Sequence, residues 1–508
     1  MPEILVLVVG AGPVGLTLAC GLAQQGVAVR VVDKAAGPAT TSRANILHGR
    51  GVEVLDRVGA LGDLPQRAAS GFTMRPVMGG RVFTIRFGDV DGTPVRALYI
   101  SQAEVESELR RRLAELGTAV EWGVELTDAR PDAAGVDAVL ASGESVRARW
   151  LVGCDGGDSA VRALAGFEFP GAAISEKFLL ADLHVEDWDF DRDGGVGWYH
   201  EDGMLVAMPM PEPDGARDRG DLWRFMAYLP EGTRERLTDA QVVDSFRRIV
   251  PRRSGVSGVR VRDAAWTSVF RIQRRLVDDY RRGRVLLAGD AAHLHSPFGG
   301  QGMLTGVGDA ENLAWKLALV VYGRAHEALL DTYAAERRPV AATVLKETGR
   351  GTWLQTSDSA MARALVRRVV APLLSRPSVQ RRLTLAASQL GVTYRAGPLG
   401  SRRGGRPYPG DRIPDLGCRA ADGRATRLHA ELRGRWALLT AATGVSECLA
   451  AARERLGQCV TALVPAARPG DEVWLVRPDG HLAWRGPSEP RALARWLDGT
   501  LQRGRAGR

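Results

Sequence analysis

The sequence is poor in cysteine and nearly devoid of lysine, and each shortage excludes something. Its 508 residues hold five cysteines (Cys20, Cys154, Cys418, Cys448, Cys459), an odd and scattered set without a Cys-x-x-Cys pair. That removes a disulfide-stapled scaffold, a zinc knuckle and a redox-active thiol couple, and leaves the thiols as small buried hydrophobes. Only four of the 68 basic residues are lysine (Lys34, Lys177, Lys316, Lys346). The net charge of +9 is therefore an arginine excess, spread along the chain and set against 59 carboxylates. No basic stripe interleaved with aromatics appears, so no nucleic-acid partner is expected. No run reaches the roughly 18 uncharged apolar residues of a membrane span, so no membrane partner is expected either. The opening MPEILVLVVGAG has no basic n-region and its apolar run stops at glycines. It reads as a buried strand rather than a signal peptide and predicts a cytoplasmic protein. There is no GxSxG elbow, and Ser159 has no evident His and Asp partners, so hydrolase chemistry is not expected. His293 and His295 stand near an aspartate without a third ligand cluster, so no metal site is expected.

What is present is ordinary globular composition, 45% hydrophobic and 25% charged, at a length that suggests two to four domains. Ile4 to Val9 is a continuous apolar run, as a strand buried on both faces requires. Gly10-Ala11-Gly12-Pro13-Val14-Gly15 follows, then helical spacing from Leu16 to Gln25, then a second strand from Val27 that closes on Asp33. Gly10 and Gly12 allow a tight turn and close approach to a pyrophosphate, and Gly15 allows the helix to pack on the sheet. The helix N-terminus offers unpaired N–H groups to the phosphates, and Asp33 is placed to accept from a ribose hydroxyl. A carboxylate there suits FAD or NAD better than NADP.

Further along, Val105, Leu109, Leu113 and Leu116 predict an amphipathic helix over 103–116. Residues 171–270 alternate as an antiparallel sheet does, and a strand-loop-helix returns from Val285. The Arg271–Arg284 run reads as solvated surface, with an NAD(P)H phosphate contact as the alternative. Residues 395–415, rich in Gly, Pro and Arg, read as a linker or docking segment before a small C-terminal α/β module.

Two more glycine-bearing stretches complete a set of three. One is Gly153-Cys154-Asp155-Gly156-Gly157-Asp158-Ser159-Ala160-Val161-Arg162. The other runs Arg284-Val285-Leu286-Leu287-Ala288-Gly289-Asp290-Ala291-Ala292-His293 and on through Ser296-Pro297-Phe298-Gly299-Gly300-Gln301-Gly302-Met303. In this order the three motifs resemble the class A flavoprotein aromatic hydroxylases, the family of para-hydroxybenzoate and phenol hydroxylases, and most of all bacterial aromatic polyketide oxygenases.

The resemblance implies an α/β protein with a Rossmann-like FAD-binding domain (1–170 and 271–394), an inserted antiparallel-sheet substrate domain (171–270) and a C-terminal thioredoxin-like domain (395–508). It implies that Gly10, Gly12 and Gly15 cradle the FAD diphosphate, Asp33 meets the adenosine ribose, and Arg43 reaches the phosphate region. Gln102 matches the glutamine near the ribityl chain. Asp155-Gly156 matches a pair involved in FAD and NAD(P)H binding, with Arg162 as its tether. Gly289 and Asp290 match the ribitol-binding turn. The Pro297, Gly299 and Gly300 backbone, with Gly302 and Met303 opening the next helix, would run along the isoalloxazine. There the helix N-terminus would stabilise charge at the flavin N1–C2=O edge without any side-chain base.

The implied activity is monooxygenation with NADPH or NADH and O2 as co-substrates, through a flavin C4a-hydroperoxide, on a small-molecule aromatic substrate, a polycyclic polyketide of antibiotic biosynthesis. A homodimer is allowed. No second GxGxxG exists to give the nicotinamide its own Rossmann domain, and the Baeyer–Villiger FxGxxxHxxxW and halogenase WxWxIP signatures are missing. Baeyer–Villiger insertion on the same fold, oxidative inactivation of an antibiotic and a non-catalytic binding role stay as alternatives. Trp198, Trp223, Phe225 and Phe270, with Phe298 of the loop, are candidates for an aromatic substrate wall, and the first four read equally as core. The chain departs from its relatives at Leu304 and Gly308, where Asn and Gln are common, and at Gly51, where Thr or Ser is common.

Overall fold

The structure, a computed structural model, describes residues 4–40, 44–70, 72–78, 81–87, 97–210, 220–229, 237–296, 300–356, 371–374, 376–403, 405–440, 445–466 and 472–502. The first apolar run becomes β1 (Ile4–Val9), whose Val6, Leu7 and Val8 are wholly buried. Pro13–Ala23 (α1) follows, with Gly12 at its N-cap, and leads into β2 (Val29–Asp33). The chain then forms helices α2 (Gly49–Val58) and α3 (Gln102–Glu115). Ser101 caps α3 by accepting from the Glu104 N–H at 3.3 Å, and Val105, Leu109 and Leu113 are its buried stripe. Leu116 lies just beyond the helix end, one residue from the sequence expectation.

Ser145–Gly153 (β3) and Val285–Leu287 (β4) complete a parallel set in the order β4, β3, β1, β2. Val120–Trp122 extends it in parallel beyond β2, and an antiparallel hairpin (Leu126–Pro131, Val136–Leu140) lies against the first half of β3.

The second sheet is antiparallel over most of its width and is backed by helix α4 (Asp239–Ser254). Its strands run His293–Leu294, Arg260–Leu276, Gly171–Glu186, Leu222–Leu229, Gly203–Pro209, Gly194–His200, Phe72–Met78 and Arg81–Val82. It therefore reaches outside the 171–270 interval read from the sequence. Gly194 and Gly195 allow the Phe72–Met78 strand to lie alongside in parallel, because a Cβ on Gly194 would sit 1.8 Å from the Thr73 carbonyl oxygen. The Arg271–Arg284 run is not simply solvated surface: Val277 and Tyr280 within it are fully buried, and Arg281 and Arg284 lie over the Trp150 ring.

Helix α5 (Gly302–Val321) is buried from Met303 to Val321, mostly apolar but carrying Asp309, Glu311, Asn312 and Lys316 within the core. It packs on α1 where Gly21 faces Ala314; a Cβ on Gly21 would be 2.8 Å from that methyl. Helix α6 (Asp331–Thr356) runs next to it.

The C-terminal module has Trp436–Leu439 parallel to Val460–Pro465 on one side and antiparallel to Glu472–Val476 on the other, with Leu482–Pro487 outermost. That strand order, with helices at Val445–Leu456 and Pro490–Leu501, is thioredoxin-like. The module is anchored by buried charge. Arg477 donates to Glu336 at 2.8 Å and to Asp479 at 3.0 Å, and Lys316 donates to Glu336 at 2.8 Å. Arg57 donates to Glu311 at 2.6 Å, Arg50 to the Asp479 carbonyl at 2.6 Å, and Arg412 to Glu53 at 2.8 Å. Burial pushes the Lys316 ammonium down to about 8. It also disfavours charge on Glu336, yet Arg477 and Lys316 outweigh it and hold that carboxyl at about 2.

Candidate flavin site

Parallel strands in register deliver their C-terminal ends to one edge, and all three motifs begin there. Val9 pairs with Val32 and with Gly153, and Gly153 pairs with Leu287. Gly10, Asp33, Cys154-Asp155 and Gly289-Asp290 thus emerge side by side at the carboxyl edge of the sheet, where open α/β sheets bind ligands. The first turn is sterically determined. Gly10 has φ +104, and a Cβ there would lie 2.4 Å from the Cys154 carbonyl oxygen. A Cβ on Gly15 would lie 1.9 Å from the Gly10 carbonyl oxygen, so α1 can start this close only with glycine. Gly12, in contrast, faces open space within 4 Å, and no side chain caps α1. The turn therefore leaves room and unpaired donors at the helix start, which is what a diphosphate needs.

The three aspartates differ in what they hold. Asp33 accepts from the Ala11 N–H at 2.7 Å and the Ala35 N–H at 2.8 Å, one on each oxygen, and so ties the glycine turn to the end of β2. Gln102 lies close by, its amide donating to Glu106 at 2.8 Å. Burial raises the Glu106 carboxyl, and the charge of Asp33 adds to that rise. Asp155 turns inward: it accepts from the Ser159 hydroxyl at 2.5 Å and the Val161 N–H at 3.1 Å, and burial raises its carboxyl. Its side chain holds the turn around Gly156 (φ +82), which brings backbone to the groove. Arg162 donates to the carbonyls of Gly157 (2.7 Å) and Ala291 (3.2 Å) and so ties the second motif to the third. Asp290, in the short turn Gly289–Ala291, is exposed, with no polar contact from any described residue. Arg43, Pro297, Phe298 and Gly299 lie outside the described residues. Gly300 has φ +61 and faces His48, while Gly302 and Met303 open α5, whose N-terminus also has no side-chain cap.

Sequence reasoning did not identify the hub of this turn, Asp309 on α5. Its buried carboxylate accepts from the Gly289 N–H at 3.2 Å, lies 2.7 Å from His293 Nε2 and accepts from Arg337 Nε at 2.7 Å. Burial opposes its charge, but Arg337 and His293 keep it below the usual carboxylate range. The departures at Gly308, Gly51 and Leu304 belong to the same packing. A Cβ on Gly308 would be 2.8 Å from the Arg337 guanidinium, and a Cβ on Gly51 would be 2.5 Å from Leu47 and 3.5 Å from Leu304. Small residues at 51 and 308 thus make room for the side chains at 47, 304 and 337.

Strand parity decides the substrate wall. Trp198, Trp223 and Phe225 point to the α4 side, packed with Trp188, Phe190 and Phe246 in one buried cluster. The opposite face carries Phe178, Met204, Val206, Met226 and Ile272, with Met74, Leu180, Met208, Tyr228 and Phe270 beside them. Its register sets Phe270, Phe178, Tyr228, Met204 and Tyr199 in one row across the sheet. Leu180, Met226 and Val206 form the next row. At one end of this face Arg224 and Asp182 form a buried two-point ion pair, both contacts 2.7 Å. Two contacts tie this sheet to the first domain: Asn45 Nδ2 lies 3.7 Å from the sulfurs of Met208 and Met210, and His293–Leu294 is the sheet's own outer strand. Period-2 alternation in Met204–Met208 carried this signal.

Comparison with known proteins agrees with the geometry. Residues 3–348 match the family described as FAD binding domain, and residues 406–501 match the aromatic-ring hydroxylase C-terminal family. The chain is 36% identical to a 6-methylpretetramide 4-monooxygenase of Streptomyces rimosus, over 95% of this chain and 90% of that protein. It is 34% identical to a rifampicin monooxygenase of Streptomyces venezuelae, over 96% and 97% of the two chains. Among solved structures, the anhydrotetracycline hydroxylase OxyS from Streptomyces rimosus superposes with a TM-score of 0.80 at 31% identity, covering 97% of this chain and 98% of that one. The chain belongs to the FAD-dependent aromatic-ring hydroxylase family, whose members are flavoprotein monooxygenases.

Proposed function

We propose that this monooxygenase hydroxylates a polycyclic aromatic polyketide in antibiotic biosynthesis, using NAD(P)H and O2 in the cytoplasm, where reduced nicotinamide is available. The observation that carries the reading is the second apolar face of the antiparallel sheet, a row from Phe270 to Tyr199 turned away from α4. A flat fused-ring molecule matches such a wall better than a single small phenol does, and the relatives named for tetracycline intermediates support it.

In this reading Gly10, Gly12 and Gly15, with the start of α1, hold the diphosphate. Asp33 keeps lone pairs free for the adenosine ribose, and Asp290 accepts from the ribityl hydroxyls. Bound FAD supplies hydride acceptance and oxygen activation, the chemistry that side chains lack. The uncapped start of α5 would hold the flavin's N1–C2=O edge and favour negative charge there. The methionine-rich wall excludes water and orients the ring to be oxidised, and its thioethers adapt to irregular outlines.

Incubation with 18O2, NAD(P)H and candidate polyketides tests this. One labelled phenolic hydroxyl per turnover is expected, whereas a labelled ester would favour Baeyer–Villiger insertion. No label in any polycyclic substrate would overturn the reading. Similarity to rifampicin monooxygenases makes a finished drug the second substrate class to assay.

A further inference from the structure

Two imidazoles of the third motif each keep one buried nitrogen without a hydrogen-bond partner among the described residues, His293 Nδ1 in the core and His295 Nε2 beside the start of α5. His293 lies on the outer strand of the second sheet and His295 just after its end, their rings near-parallel (9°) with centroids 6.0 Å apart. His293 is anchored, because Asp309 is ionised and takes the Nε2 hydrogen at 2.7 Å. His295 places Nδ1 3.2 Å from the Ser296 carbonyl oxygen, which fixes the hydrogen on Nδ1 and leaves a lone pair on Nε2. That Nε2 is out of contact with solvent and has no hydrogen-bond partner. Burial and the neighbouring His293 lower the affinity of this ring for a second proton, so it stays neutral and Nε2 stays an acceptor.

The surroundings define what would satisfy it. A Cβ on Gly302 would lie 3.5 Å from His295 Cε1 and 4.0 Å from Nε2, so the imidazole stands against the first residue of α5. That helix end has no side-chain cap and no acidic residue in its first turn. Unpaired backbone donors and one unpaired acceptor therefore lie side by side in a buried place. A buried acceptor left unmatched costs on the order of 1–3 kcal/mol, which a ligand donor would recover. The fitting chemistry is a group that accepts and donates through neighbouring atoms.

We propose that His295 Nε2 accepts a hydrogen bond from a donor of bound FAD, beside the acceptor edge taken by the start of α5. The inference rests on the flavin reading above. FAD has two donors of the required kind, the imide N3–H of the ring and the ribityl hydroxyls, and both are next to an acceptor. His295 is in this sense a binding residue of the cofactor, with His293 and Asp309 holding the strand end that precedes it.

The test is titration of flavin-free protein with FAD, read by quenching of flavin fluorescence, with the melting temperature of the flavin-free protein as a check on folding. His295→Leu is expected to raise the dissociation constant about tenfold or more, since the flavin donor loses its acceptor. His295→Gln, which restores an acceptor oxygen, is expected to stay within about threefold of the wild type. The wild type is then titrated with FAD methylated at N3 and with FAD lacking the ribityl 2′-hydroxyl. The analogue missing the true donor should bind the wild type about as weakly as His295→Leu binds FAD, with no further loss when variant and analogue are combined. Should the wild type bind both analogues as tightly as FAD, or His295→Leu bind FAD as the wild type does, the inference is wrong while the flavin reading stands. Wild type that takes up no FAD at all would overturn both.

Discussion

At the scale of single residues, the glycines of the first turn separate structure from binding. Gly10 and Gly12 are two apart in the same motif, yet one meets backbone and the other meets space. Gly10→Ala forces a positive φ on a side chain and drives a methyl into Cys154, so it is expected to destabilise the fold by at least about 1–3 kcal/mol. Gly12→Ala has no such clash. It is expected to leave the melting temperature of the flavin-free protein nearly unchanged while weakening FAD binding severalfold, which fluorescence titration would measure. Asp290→Ala should behave like Gly12→Ala, because its carboxylate supports nothing else among the described residues; unchanged flavin content would count against its assignment. These roles were readable in the sequence because glycine spacing is a local, steric demand. Asp309 was not, since nothing near it in the chain announces that Gly289, His293 and Arg337 will close around it. His295 stood in the sequence only as a rejected metal ligand; its unmatched nitrogen is a property of packing.

At the scale of elements, strand parity governs the second sheet. Alternation in 171–270 was legible, but which parity faces which layer was not, because α4 and the flavin edge both offer apolar surfaces. Aromatic residues drew the first guess, and the larger rings proved to be in the helix-backed core. Trp223→Ala is accordingly expected to cost about 3–5 kcal/mol in denaturant unfolding. Phe270→Leu lies on the other face and keeps most of its volume, so it should cost less than about 1.5 kcal/mol. Its effect belongs in KM for the polycyclic substrate, expected to rise severalfold. A Trp223→Ala protein of normal stability would mean that the parity is reversed.

At the scale of the whole molecule, buried charge joins the first and last thirds of the chain. Residues as distant as Glu53 and Arg412, 359 positions apart, form one ion pair. Such partners cannot be paired from sequence, where every arginine looks alike in a chain so rich in them. The same burial predicts acid sensitivity. His295, His429 and His481 are all depressed, chiefly by burial. Above the ordinary histidine value of about 6.5 both folded and unfolded chains hold these rings neutral. Below it the unfolded chain takes up protons first, so stability falls with pH, by at most about 4 kcal/mol per pH unit for three groups. The depressed carboxyls of Glu336, Asp309 and Asp479 extend the loss below about pH 4. Urea midpoints at pH 7.5, 6.5 and 5.5 should fall in that order; a flat profile would contradict the buried neutral histidines.

The ion cluster also sets an order of events during synthesis. Glu336 and Lys316 leave the ribosome long before Arg477 and Asp479 exist to complete their cluster. Until then Lys316 and Glu336 have only each other in an apolar layer, a half-formed cluster that a chaperone would recognise. Loading of the coenzyme is therefore expected to come after translation ends, and nascent chains arrested at residue 394 should bind no flavin.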